Sequence, residues 1–390
     1  MQNRQRYTFG PIEKIFYYDW VLLGLIAALC IIGITALYSA GQADCVGSIC
    51  KTFGSWTPWA KSQLFKMIAG WGIMMIVGLF SPKFFVRVSY IVFIGIFLML
   101  VIVGISGTIG MGAQRWVSIA GFKFQPSELA KITLILSLTR YFASYNISKI
   151  NSLIYMLPPI VMVTMYVIPI LIQPDLGTAL MLIMSSGFIF FLSGISWKKF
   201  AAVFLIGAIS VPIIWKYGLH NYQRRRIEVF LNPELEVRGA GYHITQSKIA
   251  MGSGGLAGKG YLKGSQSQLN FLPEKHTDFI FTIIAEEFGL IGCVFLLLIY
   301  IMIVYRTIKI SLMVRSTFSK LMVMSLGINF FLYVFINMGM TMGLMPVVGV
   351  PLPFISYGGT ATLVLLFSFG LIQSAYIHRD ILISGKGAYE

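Results

Sequence analysis

The chain has 390 residues, enough for two or three globular domains, yet only 11% are charged and 57% are hydrophobic, with a mean hydropathy of +0.80. An average soluble domain is about 25% charged, so this chain has too little polar surface to cover itself in water and reads as an integral membrane protein. Its 30 Lys and Arg against 14 Asp and Glu give a net charge of +16. In a soluble protein that would suggest nucleic acid; here it is first a signal of membrane topology, and no nucleic-acid partner is expected.

Charge-free apolar stretches of about 17 to 25 residues mark membrane spans. In chain order they cover 20–40, 88–106, 152–172, 176–194, 200–215, 288–305, 321–344 and 354–377, with two weaker ones at 67–80, lengthened by a snorkelling Lys66, and at 129–145, which carries Lys131 and Arg140. The expected fold is an all-α membrane protein of about ten transmembrane helices, a single membrane domain over 1–390. The first span is too long for a signal peptide and lacks its small-residue cleavage site, so it is expected to be retained. With the N-terminus inside, the cytoplasmic segments hold 15 basic residues and the short outer loops and span ends hold 6. This bias predicts an N-in, C-in orientation. The other nine basic residues fall within 216–275, part of a large outer loop, 216–277, between helices 7 and 8. A loop of about 60 residues escapes the positive-inside rule. No cytoplasmic loop is long enough to hold a nucleotide.

Acids at membrane depth are costly and ask for a reason. Glu128, Asp175, Asp278, Glu286 and Glu287 sit at or just within outer span ends. Asp278 follows His276 and Thr277 where the long loop enters a helix; it is either an N-cap or a reactive carboxylate facing the outer side. Glu286 lies about 12 Å deeper on the same helix, and Glu287 points away from Asp278. One of the two is expected to meet a basic residue of another helix, with Lys131 the natural candidate; Glu128 and Lys131 pairing at i, i+3 is the equal alternative. Asp175, in the turn Gln173-Pro174-Asp175, either caps the next helix or serves the site.

Basic residues offer phosphate contacts. Arg115 adjoins Trp116, which reads as an interfacial anchor or as a substrate contact. The run Gln223-Arg224-Arg225-Arg226 is either a headgroup-facing charge cluster or a pyrophosphate site. The segment 252–260, with Lys259, resembles a phosphate loop but fails its spacing, leaving a flexible turn or backbone amides around an anion. Cys45 and Cys50 share the first outer loop and could form a disulfide; Cys30 and Cys293 fall inside spans. The four His are scattered and give no metal pattern.

Taken together, 112–131 (GAQRWVSIAGFKFQPSELAK), 173–179 (QPDLGTA), 222–287 and 346–359 (PVVGVPLPFISYGG) resemble the SEDS family (shape, elongation, division and sporulation) of bacterial cell-wall polymerases. The pieces 258–260 and 264–268 place the chain nearer the RodA branch than the FtsW branch. The resemblance implies a peptidoglycan glycosyltransferase of the inverting hexosyltransferase type. Such an enzyme polymerises lipid II, the undecaprenyl-pyrophosphate-linked disaccharide pentapeptide, at the outer face of the bacterial plasma (inner) membrane during cell elongation. It implies Asp278 as the catalytic carboxylate. Around it the expected substrate-binding residues are Arg115, Trp116, Gln223, Arg224, Arg226, Lys259, Gln266, Glu274, His276 and Thr277. Glu128, Lys131, Asp175, Glu286, Glu287 and Ser356 are expected as supporting polar groups. Implied partners are a class B penicillin-binding protein transpeptidase, other elongation-complex proteins and membrane lipids; a divalent cation, Mg or Mn, is an open option. A lipid II flippase, or the FtsW-type division polymerase, is the alternative.

Overall fold

The computed structural model describes residues 11–42, 57–110, 113–119, 122–218, 221–232, 240–265 and 275–383. Cys45, Cys50, Gln266 and Glu274 therefore lie outside the described residues. In chain order the elements are α1 (Pro11–Phe16), α2 (Trp20–Gln42), α3 (Pro58–Leu79), α4 (Pro82–Ser106), β1 (Thr108–Gly110), β2 (Ala113–Ile119), β3 (Phe122–Phe124) and α5 (Pro126–Ala143). They continue with α6 (Ile147–Ile150), α7 (Leu153–Ile172), α8 (Leu176–Leu192), α9 (Trp197–Ile213), a π turn (Ile214–Gly218), α10 (Asn221–Leu231), α11 (Ala240–Gly254), α12 (Ile280–Met313), α13 (Thr317–Thr341) and α14 (Gly359–Ile377).

Among the described residues seven helices, α2, α3, α4, α7, α12, α13 and α14, are long and apolar enough to cross a membrane. The shorter α5, α8 and α9, of 18, 17 and 17 residues, complete the expected set of ten. The chain is a multi-pass membrane protein. Pro at the first helical turn starts α3, α4 and α5, where its missing N–H costs nothing.

The span that hydropathy marks most weakly is the most central. α5 packs on α4, α7, α8, α13 and α14 and is buried along nearly its whole length. Its Glu128 and Lys131 are buried and pair with each other, Lys131 Nζ lying 2.7 Å from Glu128 Oε1. At the other extreme, α9 has no buried residue, and its apolar side chains face the bilayer.

Three departures from the sequence reading position the site. The outer loop after α4 is a small antiparallel sheet, ordered β1-β2-β3, with Thr108 opposite Trp116 and Val117 opposite Phe124; pairing its backbone suits an edge of the membrane where water is scarce. The large outer loop is partly helical, carrying α10 and α11. Finally, the eighth span begins at Ile280 rather than 288, and the last at Gly359 rather than 354. Residues 342–358 between α13 and α14 are non-helical, with Phe354 at φ 63°.

On the inner side Asp19 fastens three helices. It caps α2 through Leu22 N (3.0 Å), accepts from Arg306 Nε of α12 (2.7 Å), and its backbone N–H donates to Gln373 Oε1 of α14 (2.9 Å).

Candidate functional site

Asp278 stands in the turn 275–279, one residue ahead of Phe279, the N-cap of α12, whose side chain offers no capping oxygen. The N-cap reading of Asp278 is thus displaced by one position. The residue is held from below by α13: Asn337 Nδ2 donates to Asp278 O (3.1 Å) and to Val350 O (2.8 Å). Its Oδ2 lies over Gly349, where a Cβ would come within 3.5 Å. Gly349 has φ 76°, a conformation that glycine adopts without strain. Asp278 is half-buried, on the outer rim of the bundle.

The segment 346–359 is sewn to the residues just before Asp278. Tyr357 N donates to His276 O (2.8 Å), and Ser356 Oγ donates to Thr277 O while accepting from Leu352 N (2.8 Å). His276 is buried and stacks on Trp59 of α3, ring centres 4.9 Å apart. Trp59 also meets the edge of Tyr357 (5.0 Å). Lys66 Nζ donates to the Tyr357 hydroxyl at 2.8 Å, and Ser62 Oγ lies 3.3 Å from it. Burial pushes the Tyr357 phenol up, but the hydrogen bonds from Lys66 and Ser62 and the Lys66 charge outweigh it, so it titrates below the usual phenol range.

α11 closes the other flank. Ser247 Oγ is 2.7 Å from Thr282 Oγ1, one turn into α12 from Asp278, and donates to Thr341 O at 2.8 Å. His243, one turn earlier on α11, faces the Phe279 ring at 6.1 Å.

Beneath this rim α12 is broken at Gly289, with φ 63° and ψ −161°. A break in a membrane helix strands backbone groups that must find partners. The glycine-rich segment supplies them. Lys259 N and Gly260 N each donate 3.0 Å bonds to Glu286 O and Glu287 O, while Leu290 N and Ile291 N donate to Gly255 O (3.0 Å) and Leu256 O (3.1 Å). A Cβ on Gly254 or Gly258 would run into the carbonyl oxygens of Ala285 or Glu287. The segment 252–260 is therefore a plug for a broken helix: two of the amides offered for an anion are taken by helix carbonyls.

The same contact reassigns Lys259. Its ammonium lies 2.8 Å from Glu286 Oε1, which also accepts from Ser265 Oγ (3.1 Å). Glu287 accepts from Ser39 Oγ of α2 and from the Leu262 backbone. Of the two arrangements open for Lys131, the structure has the i, i+3 pair with Glu128, not a bond to Glu287; Tyr333 Oη donates to Glu128 Oε2 (2.6 Å) and its ring lies under Lys131 (4.3 Å).

Two of the expected phosphate-binding arginines, Arg115 and Arg224, are also engaged. Arg115 donates through Nε to Gln173 O (3.1 Å) and through Nη2 to Pro174 O, with Nη1 3.9 Å from Asp175. Asp175 itself caps α8 through Thr178 N (3.2 Å) and accepts from Gln125 (3.2 Å). Arg224 Nη2 donates to Trp215 O (2.7 Å) and Lys216 O (3.4 Å). Gln223 is buried; Arg226 and Trp116 are half-buried. α10 packs on α11. The structure thus gathers Asp278, His276, Thr277 and Ser356 in one place, and sets Arg115 with Asp175, and Lys259 with Glu286, in separate pairs.

Sequence reasoning missed Trp59, Ser62, Ser247, Asn337 and Gly349. Asn337 had a signal, a lone amide deep in an apolar span. Between α2 and α12 lies a cavity of about 480 Å³ lined by Ile32, Ala36, Ile284, Phe288 and Leu296 and edged by Tyr261, whose hydroxyl donates to Thr35 O (3.1 Å). Its lining suits hydrocarbon rather than phosphate.

Residues 19–381 match the cell cycle protein family of FtsW, RodA and SpoVE. The chain is 39% identical over 379 residues to the peptidoglycan glycosyltransferase MrdB of Escherichia coli strain K12, covering 96% of this chain and 99% of that protein. It is 36% identical to the probable peptidoglycan glycosyltransferase FtsW of Enterococcus hirae, covering 90% of each. Among solved structures, a chain of a peptidoglycan synthase complex coordinating polymerization and crosslinking superposes with a TM-score of 0.78 at 26% identity, covering 93% of this chain and 98% of that one. RodA of Thermus thermophilus shares the fold, with a TM-score of 0.66 at 24% identity over 93% of this chain and 97% of that one.

Proposed function

The chain belongs to the FtsW, RodA and SpoVE family of cell cycle proteins, and on that premise we propose that it is a peptidoglycan glycosyltransferase polymerising lipid II, with Asp278 as its general base. The observation that carries this reading is the placement of Asp278: a carboxylate at the outer mouth of the bundle, its backbone fixed by Asn337 and its Oδ2 resting on a glycine. A base must be rigidly held yet accessible.

The chemistry follows from that placement. The acceptor 4-hydroxyl gives its proton to Asp278 as its oxygen attacks C1 of the donor sugar. The new C1–O4 bond forms as the bond from C1 to the pyrophosphate oxygen breaks, and the lipid pyrophosphate leaves with that electron pair. Attack opposite the leaving group inverts C1. The activated donor supplies the free energy. Positive charge near the leaving pyrophosphate lowers the barrier further, and a Mg or Mn ion would serve the same end; the described residues hold no cluster of three His, Cys, Asp or Glu for one.

A flippase would need acids at membrane depth along its path, and Glu286 is the candidate for one. Its carboxylate is neutralised by Lys259 beneath a plug of outer loop, which favours a sealed support for the site over a translocation path. The relatives' names support the enzyme reading, and the solved synthase complex supports a crosslinking partner, for which a class B penicillin-binding protein within the elongation complex fits best. We infer a place in the bacterial plasma (inner) membrane, which the use of a lipid-linked precursor at an outer-facing site supports. Incubating the purified protein with lipid II tests the reading: glycan strands are expected, and lipid II crossing proteoliposome leaflets without polymer would establish the flippase instead.

A further inference from the structure

Polymerisation of lipid-linked units brings two pyrophosphates to one site, one on each reacting chain, so a polymerase needs cationic groups for both. Arg115 and Lys259 each meet a carboxylate, and Arg224 Nη2 meets backbone carbonyls. Two lysines on α3 and α11, helices that pack against the Asp278 turn through Trp59 and Ser247, have no carboxylate partner among the described residues. Lys66, half-buried on α3, contacts only the Tyr357 phenol, lying 2.8 Å from its oxygen, and rests against Gly359, where a Cβ would stand 3.1 Å from Nζ. Through Tyr357 N and the neighbouring Ser356 Oγ it is tied to His276 and Thr277, the two residues before Asp278. Lys248, exposed on α11, lies across Gly343 at the end of α13, where a Cβ would stand 2.7 Å from Nζ. The residue beside it, Ser247, is bonded to Thr282, one turn from Asp278. Among the described residues neither ammonium has a carboxylate within ion-pair distance, whereas Lys131, Lys259 and Arg306 each do.

A half-buried lysine matched only by a phenol is an unusual economy in a chain with 14 acids, since desolvating an ammonium is costly unless an anion arrives to offset it. Gly343 and Gly359 keep both ammonium groups clear of neighbouring side chains. A lysine suits a phosphate as a compact point charge with rotatable donors.

We propose that Lys66 and Lys248 are the two pyrophosphate-binding cations of this site, reached from separate helices, one for each lipid-linked chain. This rests on the glycosyltransferase reading for its substrate, but its test does not need turnover. Farnesyl pyrophosphate, a short-chain probe, is titrated calorimetrically into the purified full-length protein, with farnesol as the uncharged control. The wild type binds two equivalents; Lys66→Met and Lys248→Met each bind one, and the double variant binds none. Arginine at either position restores the lost equivalent, which a purely structural role would not require. Lys61→Met, an exposed lysine on the same helix, keeps both. Thermal unfolding of each variant separates lost binding from lost fold: a misfolded Met variant is replaced by Lys→Gln at the same position. Two equivalents retained by both single variants, or farnesol binding as tightly as the pyrophosphate, would overturn the proposal. Failure of the wild type to polymerise lipid II while these stoichiometries hold would instead sink the enzyme reading and leave two anionic-lipid sites.

Discussion

Gly258 and Gly289 meet backbone to backbone, so closely that a Cβ on Gly289 would run into the Gly258 nitrogen. Both have positive φ, 80° and 63°. The plug of the outer loop and the break in α12 are therefore one construction. Gly289→Ala should destabilise the protein by about 2 to 4 kcal/mol, from the strained φ and the backbone collision together. Its melting temperature in detergent should fall clearly below that of Gly95→Ala on α4, whose added Cβ would meet nothing within 4 Å. Equal melting temperatures would mean that the plug is not needed to hold the break.

Lys259 and Glu286 form a pair in which Glu286 is fully buried. Removing Lys259 alone leaves an uncompensated charge in the bundle, an effect of about 3 to 5 kcal/mol for buried pairs, less here because Lys259 is partly exposed. Lys259→Met should lower stability and polymerisation together, and the double variant Lys259→Met/Glu286→Gln should recover most of both. A double variant that is stable yet inactive would show that the substrate needs Lys259 itself.

The pair of Glu128 and Lys131 makes the same argument at the centre of the bundle. Both are nearly inaccessible, and Tyr333 closes the pair from α13. Glu128→Gln or Lys131→Met alone should cost about 3 to 5 kcal/mol, while Tyr333→Phe should cost about 1 to 3 kcal/mol, the loss of one hydrogen bond to a charged group. Chemical or thermal unfolding of the four proteins in parallel checks the order; a Tyr333→Phe loss as large as that of Lys131→Met would contradict it.

How much of this was readable beforehand depends on what each residue's neighbours do. The apolar spans announce themselves because lipid demands a local property, unbroken hydropathy. α5 is faint for the opposite reason: its Glu128 and Lys131 are satisfied by each other and by Tyr333, just over 200 positions away in the chain, a pairing that hydropathy cannot register. The outer acids were conspicuous in so apolar a chain, and Asp278 stood out by its place at a helix entrance. The partners of Lys259, Arg115 and Arg224 were not legible. A basic residue beside a glycine loop or an aromatic looks the same whether it awaits a phosphate or already holds a carbonyl or carboxylate. The glycines of 252–260 carried a real signal, close backbone approach, but what approaches is a helix of the same chain rather than an anion.

In the proposed mechanism the Asp278 carboxylate takes the proton from the attacking sugar hydroxyl. The most direct test is glycan polymerisation from purified lipid II by Asp278→Asn, an isosteric change that leaves the backbone bonds to Asn337 in place. A folded, membrane-inserted protein with the melting temperature of the wild type is expected, with polymerisation reduced by at least about 100-fold, the usual weight of a general base. Polymer made at the wild-type rate by the asparagine variant would contradict it.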